Sequence, residues 1–455
     1  MIALLGLSMV TVFLYLVMSK RLSPMVSLIA VPATFALIGG FAPDLGDMIT
    51  DGIKSVAPTA AMLLFAILYF GIMIDAGLFD PIARGVVRLT RNDPLRLIMG
   101  TVALVALVSL DGDGTTTFMI TVSALLPIYR RLGVSPVVMT GLACLTNAIL
   151  NVVPWGGPAA RAASALRLDP QELFVPMIPA LAAGLVTVFV LAYVLGQRER
   201  ARLRTAAPAL VGAGDRSSFS GGSGSGGSDS GGSERGSGDF DVLAPDRESL
   251  RPKLYWFNAG LTVALLTALI VGVLPISVLF MIGCALALIV NYPKLDQQRD
   301  RIASHADSVV AVVAMVFAAA VFTGVLSGTG MIEQMAQYLL TALPDALFPF
   351  FSVIVAVLSV PFTFFMSNDA FYFGVMPILA EAGAQHGISA MEIARASLLG
   401  QPIHMLSPLV PAMYVLIGLA KVDLGDHHRF AIKWALLVCA VVITTGLGLG
   451  LITIH

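Results

Sequence analysis

Ser109-Leu110-Asp111-Gly112-Asp113-Gly114-Thr115-Thr116-Thr117-Phe118 sets two aspartates and two glycines between apolar pieces at 97–110 and 115–129. Each piece is shorter than the roughly 20 residues a helix needs to cross a bilayer. A polar break between two short apolar helices predicts a re-entrant hairpin, with its tip inside the membrane. The glycines let the backbone turn sharply, and the threonines open the second arm, whose free N–H groups point back to the tip. A charge at that depth costs about 2.5–3.5 kcal/mol on the insertion scale, so two aspartates need a task. Capping the second arm would use only one of them. A second break, Met366-Ser367-Asn368-Asp369-Ala370-Phe371-Tyr372, divides 346–362 from 370–383 in the same way. It offers hydroxyl, amide and carboxylate oxygens at a helix start.

The remaining chain fits that setting. Its 455 residues are 57% hydrophobic and 12% charged, with a formal net charge of −1; mean hydropathy is +0.89. About 25% charge is usual for a soluble domain, so the composition excludes a soluble globular protein. The charge balance gives no basic surface for nucleic acid. Cys144, Cys284 and Cys439 lie far apart in apolar segments and read as core residues. No Walker motif is present, so ATP does not drive the process.

Spans are expected near 2–18, 24–41, 57–76, 135–166 and 175–196, then near 254–273, 276–291, 306–327, 388–420 and 429–452. The first lacks a positive charge ahead of its apolar run and reads as a span, not a cleaved signal. Residues 212–238 are mostly Gly and Ser, which predicts a flexible linker, placed at 197–253. Lys20/Arg21, Arg84/Arg88/Arg91, Arg130/Arg131, the linker arginines, Lys294/Arg299/Arg301 and Lys421/Arg429 all belong inside. Asp44, Asp47 and Asp51 belong to an acidic outer loop. The linker is then cytoplasmic and both termini are extracytoplasmic.

The fold class expected is an all-α polytopic membrane protein of two inverted repeats, residues 1–196 and 254–455. Each repeat has five spans and one re-entrant hairpin, at about 97–129 and 346–383. The spans at 135–166 and 388–420 are broken: Pro154-Trp155-Gly156-Gly157-Pro158 unwinds the first, and Pro402, Pro408 and Pro411 interrupt the second. Inverted repeats with discontinuous helices are built around a midplane site in secondary transporters. The candidate metal ligands are Asp111, Asp113 and Asp369. The candidate substrate-binding residues are Thr115, Thr116, Thr117, Asn147, Asn151, Gly156, Gly157, Arg161, Ser367, Asn368, Gln401, His404 and Ser407. Arg161 either pairs with Asp111 or Asp113 or binds a substrate carboxylate bidentately. Asp75 lies near the inner end of its span and reads as an interfacial residue, the alternative being a role in proton movement.

SLDGDGTTTF (109–118), LTNAILNVVPWGGPAARAASAL (145–166), MSNDAFYFG (366–374) and GQPIHMLSPLVPAMYVL (400–416) resemble the citrate–divalent metal/proton symporter family, CitMHS, of the ion transporter superfamily. The resemblance covers nearly the whole chain apart from the linker. It implies a plasma-membrane, proton-coupled carrier and not an enzyme. It also implies an elevator-type transport domain and a scaffold domain that dimerises. Related dicarboxylate symporters carry Ser-Asn-Thr at their tips; here Ser367-Asn368 is followed by Asp369, and the first tip is acidic. Carboxylates would repel a bare citrate trianion but welcome calcium or magnesium, which prefer oxygen ligands. The expected substrate is therefore a metal–citrate complex, and Asp111, Asp113, Asp369 and His404 are the candidate proton carriers. Calcium, magnesium and iron are not separated by these side chains. The competing readings are a sodium-coupled di- or tricarboxylate symporter, a divalent-cation channel and an intramembrane enzyme.

Overall fold

The structure, a computed structural model, describes residues 2–90, 93–213, 248–342 and 344–454. These are all-helical, with no strand among them. The first half runs α1 (Ile2–Met18), α2 (Pro24–Ile38), α3 (Leu45–Asp75), α4 (Asp80–Leu89), α5 (Pro94–Val108), α6 (Gly114–Arg131), α7 (Pro136–Leu150), α8 (Gly157–Leu166), α9 (Pro170–Phe174) and α10 (Ile178–Ala213). The second runs α11 (Tyr255–Val271), α12 (Ile276–Asn291), α13 (Leu295–Ser304), α14 (Ala306–Gly328), α15 (Met331–Ala342), α16 (Phe351–Phe365), α17 (Met376–Ala384), α18 (Ala390–Leu399), α19 (Pro411–Ala420) and α20 (Leu424–Gly448). Among the described residues, seven helical stretches are long and apolar enough to cross a membrane. Two of them, Pro94–Asp111 and Leu347–Phe365, are hairpin arms that looked too short in the sequence. A 3₁₀ turn at Ser109–Asp111 lengthens α5, and another at Asp345–Phe350 leads into α16.

Two other expectations are corrected. The acidic loop is largely a helix: Asp44 flanks α3, and Asp47 and Asp51 lie in its first two turns. Asp47 in the first turn is favoured by the positive end of the helix dipole, and Asp51 pairs with Lys54 at 3.0 Å, so acidity does not mark a loop at this position. The expected linker at 197–253 also begins too early. α10 continues to Ala213, and nothing between Gln197 and Thr205 is a helix breaker. Arg251 donates its Nε–H to the Asn291 carbonyl (2.8 Å) and its backbone N–H to Ala76 (3.1 Å), which pins the far end. Residues 214–247, the rest of the Gly/Ser segment, lie outside the described residues.

The extension of α10 has a job. Arg200 makes a two-point ion pair with Asp93, the N-cap of α5. Asp93 also accepts from the Leu95 N–H at 3.1 Å, and Pro94 occupies the first helical position, where its missing N–H costs nothing. Partial burial alone would raise the Asp93 pKa. The Arg200 hydrogen bond, the Leu95 N–H and the charges of Arg200 and Arg96 outweigh it and hold the carboxyl below its usual range.

The strongest packing lies between α3 and α14, with α12 against α3 and α2 against α14. α3 and α14 approach to backbone contact. A Cβ on Gly52 would lie 2.3 Å from the Ala320 carbonyl oxygen, and one on Gly324 would lie 2.5 Å from that of Met48. Around the hairpins the packing is reciprocal. α7 packs on α5 and α18 on α16, each within its own half. α19 then packs on α6, and α8 on α17, across the halves.

Gly52→Val or Gly324→Val forces this crossing apart and should cost about 1–3 kcal/mol. Gly418→Ala, where nothing lies within 4 Å, should be near neutral; thermal unfolding in detergent compares the three. Asp93→Asn should lower the melting temperature at neutral pH. Because the folded carboxyl is depressed, its contribution is full above the ordinary value of 3.8 and lost as pH falls through the folded value. The variant's melting temperature should therefore fall less than the parent's on acidification below about pH 4.

Candidate functional site

Both tips face one cavity of about 1240 Å³. Its wall includes Asp111–Thr116 of the first tip and Ser367–Asp369 of the second, with Asn151, Arg161 and His404 from the broken spans. At the first tip, Gly112 takes the left-handed conformation (φ +79°) that a side chain would strain. The Asp113 backbone N–H donates to Asp111 Oδ1 at 2.9 Å, and the Thr116 N–H donates to Asp113 Oδ2 at 2.7 Å. Asp113 thus caps α6 while staying exposed to the cavity, whereas Asp111 is 8% exposed.

The first broken span opens between α7 and α8, at residues 151–156. Trp155 turns back from this break and donates its Nε1–H to the Leu110 carbonyl at 2.9 Å. That carbonyl lies in the last turn before the tip, where helical partners run out. The Trp155 ring stacks on Phe70 of α3, 5.5 Å between centroids. Asn147 donates from Nδ2 to Ser109 Oγ (3.0 Å) behind the same tip.

Arg161, on α8, reaches the second tip. Its Nε–H donates to Asp369 Oδ1 at 2.6 Å, and Nη1 donates to the Gly157 carbonyl at 3.0 Å. The side chains are 28% and 13% exposed, so the pair is shielded but open to the cavity. Truncating one partner of such a pair leaves the other charge uncompensated, at a cost of about 3–5 kcal/mol if fully buried and less here. The Ala370 N–H donates to Ser367 Oγ (3.2 Å), and a π-helical turn at Ala370–Val375 begins the second arm. In the second broken span, His404 Nδ1 lies 2.6 Å from the Thr363 carbonyl. A carbonyl only accepts, so Nδ1 carries a proton.

The citrate transporter family CitMHS matches residues 2–400. A Bacillus subtilis (strain 168) protein described as a citrate transporter is 50% identical over 453 residues, covering 100% of both chains. Another from the same organism, described as a Mg(2+)/citrate complex secondary transporter, is 46% identical over 455 residues, again covering 100% of both. The crystal structure of the Alcanivorax borkumensis YdaH transporter superposes with a TM-score of 0.53 at 15% identity, covering 90% of each chain. That likeness speaks to the fold alone. The chain belongs to the CitMHS citrate transporter family. It is a multi-pass membrane transporter and not an enzyme.

Several candidate residues of the transporter lie elsewhere than expected. Thr115, Thr116, Asn151, Gly157, Arg161, Ser367, Asn368 and His404 line the cavity with the three aspartates. Thr117, Asn147, Gln401 and Ser407 are buried outside its wall. A step of 100° per residue turns Thr117 inward from Thr115 and Thr116. Gln401 donates to the Tyr372 hydroxyl (2.7 Å) and to Asn368 Oδ1 (3.3 Å), supporting the second tip from behind. Ser407 Oγ accepts from the Leu409 N–H (3.2 Å). Gly156 flanks α8 and shapes the break.

Arg161 pairs with Asp369 of the other half, not with Asp111 or Asp113. Nor do the three aspartates converge into one cage. Among the described residues no cluster of three His, Cys, Asp or Glu side chains could hold a metal ion. Asp369 is turned to Arg161 and Asp113 to its cap, which separates them.

Asp75 is not a simple interfacial residue. Its Oδ2 accepts from Arg301 Nη1 (3.1 Å) and His305 Nε2 (3.0 Å), and all three line the same cavity. His305 went unread because its signal is spatial: Gly71, one turn before Asp75, leaves room for the ring, and a Cβ there would lie 2.7 Å from it. Trp155 was read only as part of the break, although an indole N–H inside a Pro-Gly interruption needs a partner.

Trp155→Phe keeps the stack and removes the tip's donor. It should cost about 1 kcal/mol in stability. Citrate uptake should fall much further than the folded fraction does, because the carbonyl it releases belongs to the tip; uptake and thermal unfolding of the same preparation compare the two.

Proposed function

We propose that this transporter imports citrate as a complex with a divalent metal ion, coupled to protons. The observation that carries the reading is a single cavity combining cation-seeking carboxylates with a guanidinium that can take a carboxylate. The relative described as a Mg(2+)/citrate complex secondary transporter, matched over its whole length, supports magnesium as the metal. No preformed cage is needed for such a cargo. Magnesium takes oxygen ligands, keeps several waters and seldom has a dedicated all-protein site. Citrate supplies some of its ligands, so one or two aspartates complete the contact while Arg161 and the N-termini of α6 and α8 take free carboxylates.

Asp111 is the proposed proton carrier. It is buried, and the acceptor bond it makes is to a backbone N–H; among the described residues no basic side chain pairs with it. Asp369 has Arg161, and Asp113 caps a helix and is open to water. His404 holds its Nδ1 proton on a carbonyl.

The reciprocal packing of broken spans and hairpins supports two inverted repeats with re-entrant tips. Their tight union also suits one moving body against the α3–α14 scaffold, with dimerisation through that scaffold. The cavity wall continues to Arg301 and to Glu248 beside the connector. With positive residues inside, a wall reaching Arg301 and Glu248 supports reading this as an inward-open state, with an inner-side connector and outer termini.

The test is radiolabelled citrate uptake into proteoliposomes holding the full chain. Uptake should require magnesium or calcium, collapse in EDTA and ignore sodium. Survival in EDTA with a sodium requirement would instead mark a sodium-coupled di- or tricarboxylate carrier. Asp111→Asn should abolish stimulation by an imposed proton gradient. Asp113→Ala should keep that stimulation and lose about 1 kcal/mol of stability with its cap.

A further inference from the structure

We infer that the Arg161–Asp369 ion pair is a two-key lock, released only by a ligand that carries a cation and a carboxylate together. The inference rests on the metal–citrate reading and goes further, naming the device that rejects each component alone.

In this structure the group suited to the carboxylate and a group suited to the metal satisfy one another. Arg161 Nε sits 2.6 Å from Asp369 Oδ1, and both side chains border the cavity. They come from opposite halves, 208 residues apart, so the pair also ties α8 to the second tip. A free citrate trianion that takes Arg161 from Asp369 leaves that carboxylate unpaired beside it, and one that binds the guanidinium's remaining N–H donors still faces Asp369, with Asp111 and Asp113 on the same wall. Bare magnesium that takes Asp369, by displacing Arg161 or through the second carboxylate oxygen, sets a dication beside the guanidinium with no anion added to offset it. Either exchange strips a shielded charge of its partner and sets a like charge next to it, which is what makes broken pairs costly. A metal–citrate complex replaces both partners at once: its metal meets Asp369 and a free carboxylate meets Arg161. The exchange is then nearly balanced, and discrimination comes from the penalty on the wrong ligands. Arg161 keeps its second bond, to the Gly157 carbonyl, so the guanidinium need not leave its place.

The experiment is titration calorimetry on the purified full chain in detergent. The ligands are citrate in EDTA, magnesium chloride alone, and the two together. The proteins are the parent, Asp369→Asn, Arg161→Gln and the double variant, each with its thermal unfolding recorded. The parent should bind only the mixture. Asp369→Asn frees Arg161 and should bind citrate in EDTA at least about tenfold more tightly than the parent, a ratio worth 1.4 kcal/mol. Arg161→Gln frees Asp369 and should bind magnesium alone where the parent does not. If one single variant does not fold, the double variant, which leaves no charge unpaired, decides: it should lose the parent's strict preference for the mixture. The inference is overturned if the variants keep the parent's ligand preference while binding all ligands more weakly, as a purely structural pair would. A parent that binds citrate equally well in EDTA would instead sink the metal–citrate reading itself.

Discussion

Arg161 and Asp369 meet at the cavity from opposite halves of the chain, and much of the architecture serves that meeting. An arginine among apolar helices needs a partner or water. To place it there the first broken span must open at 151–156, so that α8 starts afresh at the level of the tips. To meet it, the second hairpin must turn at Ser367–Asp369. Neither half can satisfy its charge alone, so the pair couples their positions more specifically than apolar packing would.

Each break also exposes backbone groups that apolar surroundings cannot solvate. The protein answers with side chains. Asp113 caps α6, Trp155 covers the Leu110 carbonyl, and His404 covers that of Thr363. Two of these covers come from a broken span and land on a hairpin arm. Helix interruption and hairpin tip therefore stabilise each other, which is why the two features occur together in each half and why the packing there is reciprocal.

What could be read from the sequence follows this division. The tips and breaks were legible because Asp-Gly-Asp-Gly, Ser-Asn-Asp and Pro-Trp-Gly-Gly-Pro have few uses inside apolar segments. Helix extensions were not. Asp47 and Asp51 look like loop residues, yet the first sits in the opening turn of α3 and the second pairs with Lys54 one turn on. Arg200 looks like the start of a linker, yet reaches back to Asp93 from a helix. Partnership was least legible. Asp75, Arg301 and His305 join across more than 200 residues, and no spacing rule says which aspartate Arg161 will face. Rotation about a helix separated Thr117 from its two neighbours, although the three are identical in the sequence.

Under the proposed mechanism the charge count at the two tips and Arg161 makes coupling a consequence of electrostatics. Asp111, Asp113, Asp369 and Arg161 together carry −2 when all are ionised, and a metal–citrate complex adds −1. Two unit charges about 5 Å apart interact by about 3 kcal/mol at an effective dielectric of about 20. A proton on Asp111 removes one such repulsion from the complex. It does so at a carboxyl that has no cation to compensate it. The proton therefore tightens binding of the complex, and by reciprocity the complex tightens binding of the proton by the same factor. Asp113 and Asp369 cannot serve as well. A proton on Asp369 would forfeit both its ion pair with Arg161 and its contact to the metal, and one on Asp113 would weaken the cap of α6. Coupling thus needs no separate proton pathway through the site. It needs one carboxylate left without a cation, next to two that are committed elsewhere.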